Sequence, residues 1–226
     1  MTNDVALSLA GVACPDEDAV GARRRAVASE VDEANWDYRI SGPLAQYEDP
    51  EFSHADIYGE DADNAALQVA AVYNNVDVMD SLLTRGADLD GTDQYNETPL
   101  YNAAMEGHIA AVDLLLTRGA NPNIANEDGV TPLFEAAKGG YTGVVRLLLQ
   151  NNADPNKATL DTDATLDRLT PLHVAAEHNH VEAVQLLLEH GADHTIQNND
   201  GKTARDLALE RGHADVVSLL SVLPAA

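Results

Sequence analysis

One motif recurs along this chain at a nearly fixed step, and the step decides what the chain can build. Thr98-Pro99-Leu100, Thr131-Pro132-Leu133, Thr170-Pro171-Leu172 and Thr203-Ala204-Arg205 stand 33, 39 and 33 residues apart, and Ala65-Ala66-Leu67 precedes the first of them by 33. A chain with such a period makes one supersecondary unit several times over, and units that cannot bury an apolar face alone must stack. The second copy, residues 98–123, shows what the unit is. Thr98 is placed to cap a helix and Pro99 to fill its first position, where a missing N–H costs nothing. Leu100, Ala103 and Ala104 give that helix a small-residue apolar face, and Gly107 ends it. Ile109, Val112, Leu115 and Leu116 then recur on one face of a second helix. Gly119 closes that helix, and Asn121-Pro122-Asn123 carries turn chemistry.

A 33-residue helix–turn–helix repeat opened by a Thr-Pro-Leu-His turn resembles the ankyrin-repeat family over about 61–223. The resemblance implies an all-α ankyrin-repeat solenoid of about five helix–turn–helix units with β-turn fingers, the units starting near 64, 97, 130, 169 and 202. The first unit lacks Thr-Pro and reads as degenerate. In the second, Asn96 stands where the finger usually has Gly, and Asn tolerates positive φ. The step of 39 puts six extra residues into the finger between Lys157 and Leu169, with Arg168 at the usual Gly position. Such an insertion reads equally as part of a binding face or as a tolerated surface loop. The fifth unit resembles a capping repeat, polar on the side with no neighbour.

Charge narrows the partners. The 38 acidic and 13 basic residues give a net charge of −25. Nucleic acid is a poor match, because phosphate binding needs Lys/Arg patches. A basic protein partner, or a salt-rich solvent, fits better. Asp outnumbers Glu 24 to 14 and Arg outnumbers Lys 10 to 3, a balance that resembles proteins of salt-rich cytoplasm. Cys14 is the single cysteine, so no intramolecular disulfide forms. No apolar run approaches the roughly 18 residues that span a bilayer. The mildly apolar stretch 5–14 has Asp4 in place of a basic leader. These features lead to the expectation of a cytoplasmic chain, monomeric alone.

Residues 1–60 match no repeat and carry 13 acidic and 4 basic residues. Acids at Asp16, Glu17 and Asp18 ahead of Val20, Val27, Val31 and Ala34 predict a helix over 16–34. Arg23, Arg24 and Arg25 read as a docking spot or, more simply, as a solvated turn paired with nearby acids. Residues 36–58 hold five of the ten aromatics, which predicts an acidic, partly helical segment packed on the first repeat and covering its edge.

Nothing in the sequence assembles a catalytic constellation, a phosphate loop or a metal-ligand spacing, and no enzyme activity, cofactor or metal is expected. His173, His178, His180, His190 and His194 crowd one repeat but are too scattered for a tetrahedral site. The family resemblance instead implies that His173 bonds within and between turns. It implies a structural part for His180, as for His108 and His213 in the matching loop position.

What the resemblance does imply is a non-enzymatic protein-interaction module that binds through finger tips and the concave face of its first helices. The finger positions are Gln94, Tyr95 and Glu97, then Glu127 and Asp128, then Leu166 and Asp167 in the long finger. The concave helix positions are Val72, Tyr73, Met105, Glu106, Lys138 and His178. Tyr73, Tyr95 and Met105 form an early apolar cluster with acidic fingers as rim, or else the two tyrosines pack under the N-terminal segment. The alternative function is a regulatory or inhibitory subunit whose acidic surface engages a basic protein or mimics nucleic acid.

Overall fold

The computed structural model describes residues 60–160 and 168–221. The helix expected over 16–34 and the packing of the N-terminal segment on the first repeat lie outside the described residues. Among the described residues the elements are ten α-helices in five pairs, with no strand. The pairs are α1 (Glu60–Val72) and α2 (Val76–Thr84), α3 (Pro99–Met105) and α4 (Ile109–Thr117), α5 (Pro132–Lys138) and α6 (Thr142–Gln150), α7 (Pro171–Glu177) and α8 (Val181–Glu189), and α9 (Ala204–Arg211) and α10 (Ala214–Ser221). The five expected units are all present.

Local chemistry sets the short first helices. Thr98 and Thr131 accept, through their hydroxyls, the backbone N–H of Tyr101 and Phe134, and a proline follows each at the first helical position. A left-handed residue then turns the chain back at the same place in every repeat: Asn74, Gly107, Gly140, Asn179 and Gly212, with φ between 55° and 78°. The finger repeats the device with Asn96 at φ 61° and Arg168 at φ 54°, as the Gly-like positions of the sequence require. The first unit departs from the pattern. With no Thr-Pro stop at Ala65, α1 begins at Glu60 and runs 13 residues.

Helices α3, α5 and α7 lie inside the stack, each between the first helices of its neighbours. Every residue of α3 is buried, which explains why these helices are apolar nearly all round. Ala71, Ala104, Ala137 and Ala176, one in each of the first four repeats at the same position, are fully buried. A larger side chain there would push neighbouring repeats apart, typically at about 1–3 kcal/mol. The second helices bury Val112 and Leu115, Val145 and Leu148, Val184 and Leu187 in the same register. Ile109, counted from its spacing as part of that buried face, is 55% exposed. It stands at the first position of α4, beyond the covered turns, and its side chain lies over Gly143 of the next repeat.

Polar side chains lock one repeat to the next. His108, His180 and His213 each donate their Nε2–H to a carbonyl near the end of the preceding first helix, at Val72 O (2.8 Å), Lys138 O (2.9 Å) and Glu177 O (2.9 Å). The loops after the second helices form a parallel set. Asn123 Oδ1 accepts from Asp154 N at 2.7 Å, and Asn156 Oδ1 from Asp193 N at 2.7 Å. Their amides donate onward to Asn152 O and Gly191 O.

Candidate functional site

The fingers are the loops that enter each first helix, and the same turn chemistry shapes them. In the first, Asp93 N–H donates to Glu97 O at 3.1 Å, while the Asp93 carboxylate accepts from Tyr95 N and Glu97 N at 2.9 and 3.0 Å. In the second, Asn126 repeats this arrangement with Val130 and Asp128. The long third finger closes at its base, where Thr159 N–H donates to Leu169 O at 3.0 Å and Leu169 N–H to Thr159 Oγ1 at 3.0 Å.

Adjacent fingers are joined through their backbones. Glu127 N–H donates to Tyr95 O at 3.3 Å, and Leu160 N–H donates to Asp128 O at 2.8 Å. Asn96 Nδ2 adds a bond to Ala125 O at 2.9 Å. The second finger is thereby held between Tyr95 on one side and Leu160 on the other. Asp93, Glu97, Glu127 and Asp128 put four carboxylates on the first two fingers, which contain no Lys or Arg. Gln94 and Glu127 are exposed, and Tyr95, Glu97 and Asp128 are half-buried. Leu160 is 51% exposed and lies over Gly129, where any Cβ would meet its side chain. It was not among the residues singled out from the sequence; the clue was the break in period that places it at the start of the long finger.

The helix-end positions form a second row. Tyr73 is 53% exposed, His178 is exposed, and Val72, Glu106 and Lys138 are half-buried. Met105 does not belong to an exposed patch. It is only 5% exposed, because α3 lies between neighbouring first helices that cover it on both sides. Tyr73, Tyr95 and Met105 therefore do not make one exposed cluster, because Met105 is covered. The first finger abuts the middle of α1, where Gln68 Nε2 donates to Gly91 O and Glu97 O at 2.8 and 2.9 Å. Tyr73 follows Gln68 by five residues, or about 8 Å along the helix axis. Leu166 and Asp167 lie outside the described residues.

His173, His178, His180 and His190 of the fourth repeat each bond a backbone carbonyl. Thr170 donates both its N–H and its hydroxyl to His173 Nδ1, at 3.2 and 2.8 Å, so the ring proton is on Nε2 and donates to Lys202 O at 3.3 Å. Burial holds the His173 pKa below its ordinary value, against the opposing pull of the carbonyls it bonds. His178 donates Nδ1–H to Val174 O and stacks on His180, with ring centres 6.1 Å apart. Among the described residues no group of three or more His, Cys, Asp or Glu is placed to hold a metal ion. No described helix is long and apolar enough to cross a membrane.

Paired helices stacked at a nearly constant period, with fingers bonded edge to edge, define a helical-repeat protein. A family model described as "Ankyrin repeats (3 copies)" matches residues 67–159 and again 157–223. The chain belongs to the ankyrin-repeat family. A search among curated proteins finds no match. Ankyrin repeats are in general protein–protein interaction modules, and the family is typically non-enzymatic.

Proposed function

We propose that the chain binds a basic segment of a protein partner across its first three fingers. The observation that carries this reading is the joined platform in which the finger bearing Glu127 and Asp128 is bonded through its backbone to Tyr95 on one side and to the exposed Leu160 on the other. Two apolar side chains beside clustered negative charge suit a partner stretch in which Arg or Lys is flanked by apolar residues. Glu97 widens the acidic rim, and the exposed Gln94 beside it adds a neutral polar group. Backbone bonding between fingers means little ordering is lost on binding, which favours affinity. The helix-end row, with Tyr73 and His178 exposed and Val72, Glu106 and Lys138 half-buried, extends the surface for a longer partner, and the buried Met105 takes no part in it. A partner of this charge is consistent with a regulatory subunit that occupies the basic site of another protein.

The test is capture from native extract with the wild-type chain and a Glu97→Lys/Glu127→Lys variant, each checked for its helical circular dichroism. The wild type should retain a partner at about 0.05 M salt and release it towards about 0.5 M, as screening shortens the reach of the charges. The variant should lose that partner at every salt concentration. Equal capture by both proteins, insensitive to salt, would remove the acidic fingers from the binding site. Tyr95→Ala should weaken the captured complex by about 2 kcal/mol, the scale of an interface hot spot.

A further inference from the structure

The fifth repeat differs from the four before it. Leu209 in α9 stands at the position of Ala71, Ala104, Ala137 and Ala176, each fully buried, yet it is 58% exposed. Val217 in α10 stands at the position of Met79, Val112, Val145 and Val184, all 0% exposed, yet it is only half-buried. Both positions are closed in all four preceding repeats and open in the fifth. They face the side where the next repeat would stack. The repeat does carry one polar replacement there. Arg205 takes the place of the buried Leu100, Leu133 and Leu172, and its Nε–H donates to Ser221 Oγ at 2.9 Å. That exchange leaves Leu209, larger than any of its counterparts, standing on the open face.

Charge selects the occupant. Residues 61–201 hold 22 acidic and 6 basic side chains, whereas 202–221 hold three of each. The fifth repeat is therefore neutral in a chain of net charge −25. A basic partner is drawn to the acidic repeats, but a second copy of this chain is repelled by them and meets least repulsion at the neutral end. The surface there continues the packing by which each repeat covers the one before it.

We propose that two copies of the chain associate end to end through their fifth repeats, Leu209 and Val217 of each meeting the same face of the other around a two-fold axis. A face that meets itself closes the assembly at two copies, whereas a head-to-tail contact would propagate. The dimer replaces the monomer expected from the sequence. Its strength rises with salt, because screening lowers the repulsion between the two acidic stacks while leaving the apolar contact in place.

Sedimentation equilibrium of the full chain from micromolar to millimolar concentration, at low salt and at about 1 M KCl where the Debye length is about 3 Å, tests this. The mass should rise from the monomer's 24.1 kDa to twice that value, at lower protein concentration in the higher salt. Leu209→Glu should raise the dissociation constant at least tenfold with an unchanged melting temperature, since the side chain is already exposed. Leu209→Ala, which restores the residue of the other four repeats, should weaken association in the same direction. A monomer at every concentration in high salt would overturn the proposal. So would a dimer indifferent to both substitutions, or a mass that climbs past two copies.

Discussion

His173 and Asp206 occupy the same place in successive repeats, the third residue of α7 and of α9, and they respond to acid in different ranges. His173 Nδ1 accepts two hydrogen bonds from Thr170, so a proton added there would face two donors. Burial holds its pKa below 6.5, and the folded state therefore binds fewer protons than the unfolded chain. Its contribution to stability is complete above 6.5 and is lost as pH falls from there towards the lowered value. Asp206 accepts from the Thr203 hydroxyl and backbone N–H, at 2.7 and 3.0 Å, and these bonds hold its carboxyl below 3.8. Its contribution is complete above 3.8 and is lost below it. Urea unfolding between about pH 5 and pH 7 should show stability rising with pH, and His173→Asn should flatten that slope. A slope unchanged by the substitution would place the titrating group elsewhere. Arg168, at φ 54°, carries the strain that Asn96 and Gly129 avoid at the same finger position. Arg168→Gly should raise stability by about 0.5 kcal/mol, the left-handed cost less the glycine's extra freedom when unfolded. An unchanged or lower urea midpoint would show that the Arg168 side chain makes up for its backbone. Both left-handed positions were legible in the sequence, because the period aligns them with glycines. The exposure of Met105 and Ile109 was not, because helical spacing says which face a residue shares and not where the neighbouring helix stops.

Glycines fix how one helix pair meets the next. Gly107 closes α3 at φ 74°, and a Cβ there would stand 2.7 Å from the Tyr141 ring of the following repeat. Gly119 closes α4 at φ 96° with nothing near. Gly119→Ala should cost about 1–2 kcal/mol from backbone strain alone. Gly107→Ala carries the same strain and must also displace the ring, adding about 1–3 kcal/mol of overpacking. Thermal unfolding of the two variants, side by side, checks the order; equal losses would mean that the Tyr141 ring moves freely. The helices, their caps and the left-handed turns were readable from Thr-Pro and Gly at constant spacing. The asparagine bonds between loops were not, because Asn123 and Asn156 look like ordinary turn residues and their partners lie 29–37 residues away.

At the scale of the whole molecule, like charge opposes the stack that apolar burial builds. The residues from 61 to 223 hold 25 acidic and 9 basic side chains. Several of the described cations are already in ion pairs between elements, Arg85 with Asp63, Arg118 with Asp80, Arg211 with Glu177 and Lys202 with Glu210. The acids outnumber the cations, and the repulsion among them weakens as the Debye length falls from about 10 Å at 0.1 M salt to about 3 Å at 1 M. The melting temperature should rise across that range at neutral pH. A flat or falling series would leave the acidity to serve a basic partner alone. The five-unit stack was legible in the sequence because each repeat states its own boundaries. The proposed binding surface was legible only in part. The fingers could be placed from the period, but Tyr95 and Leu160 come to flank Glu127 and Asp128 through backbone bonds between loops that no pattern announces.

Hydrogen–deuterium exchange of the chain, with and without the captured partner, locates that surface most directly. The partner should slow exchange at the amides of 93–97 and 126–130, the two acidic fingers, and leave α2, α4 and α6 unchanged. Protection confined to those second helices, or to α9 and α10, would contradict binding through the fingers.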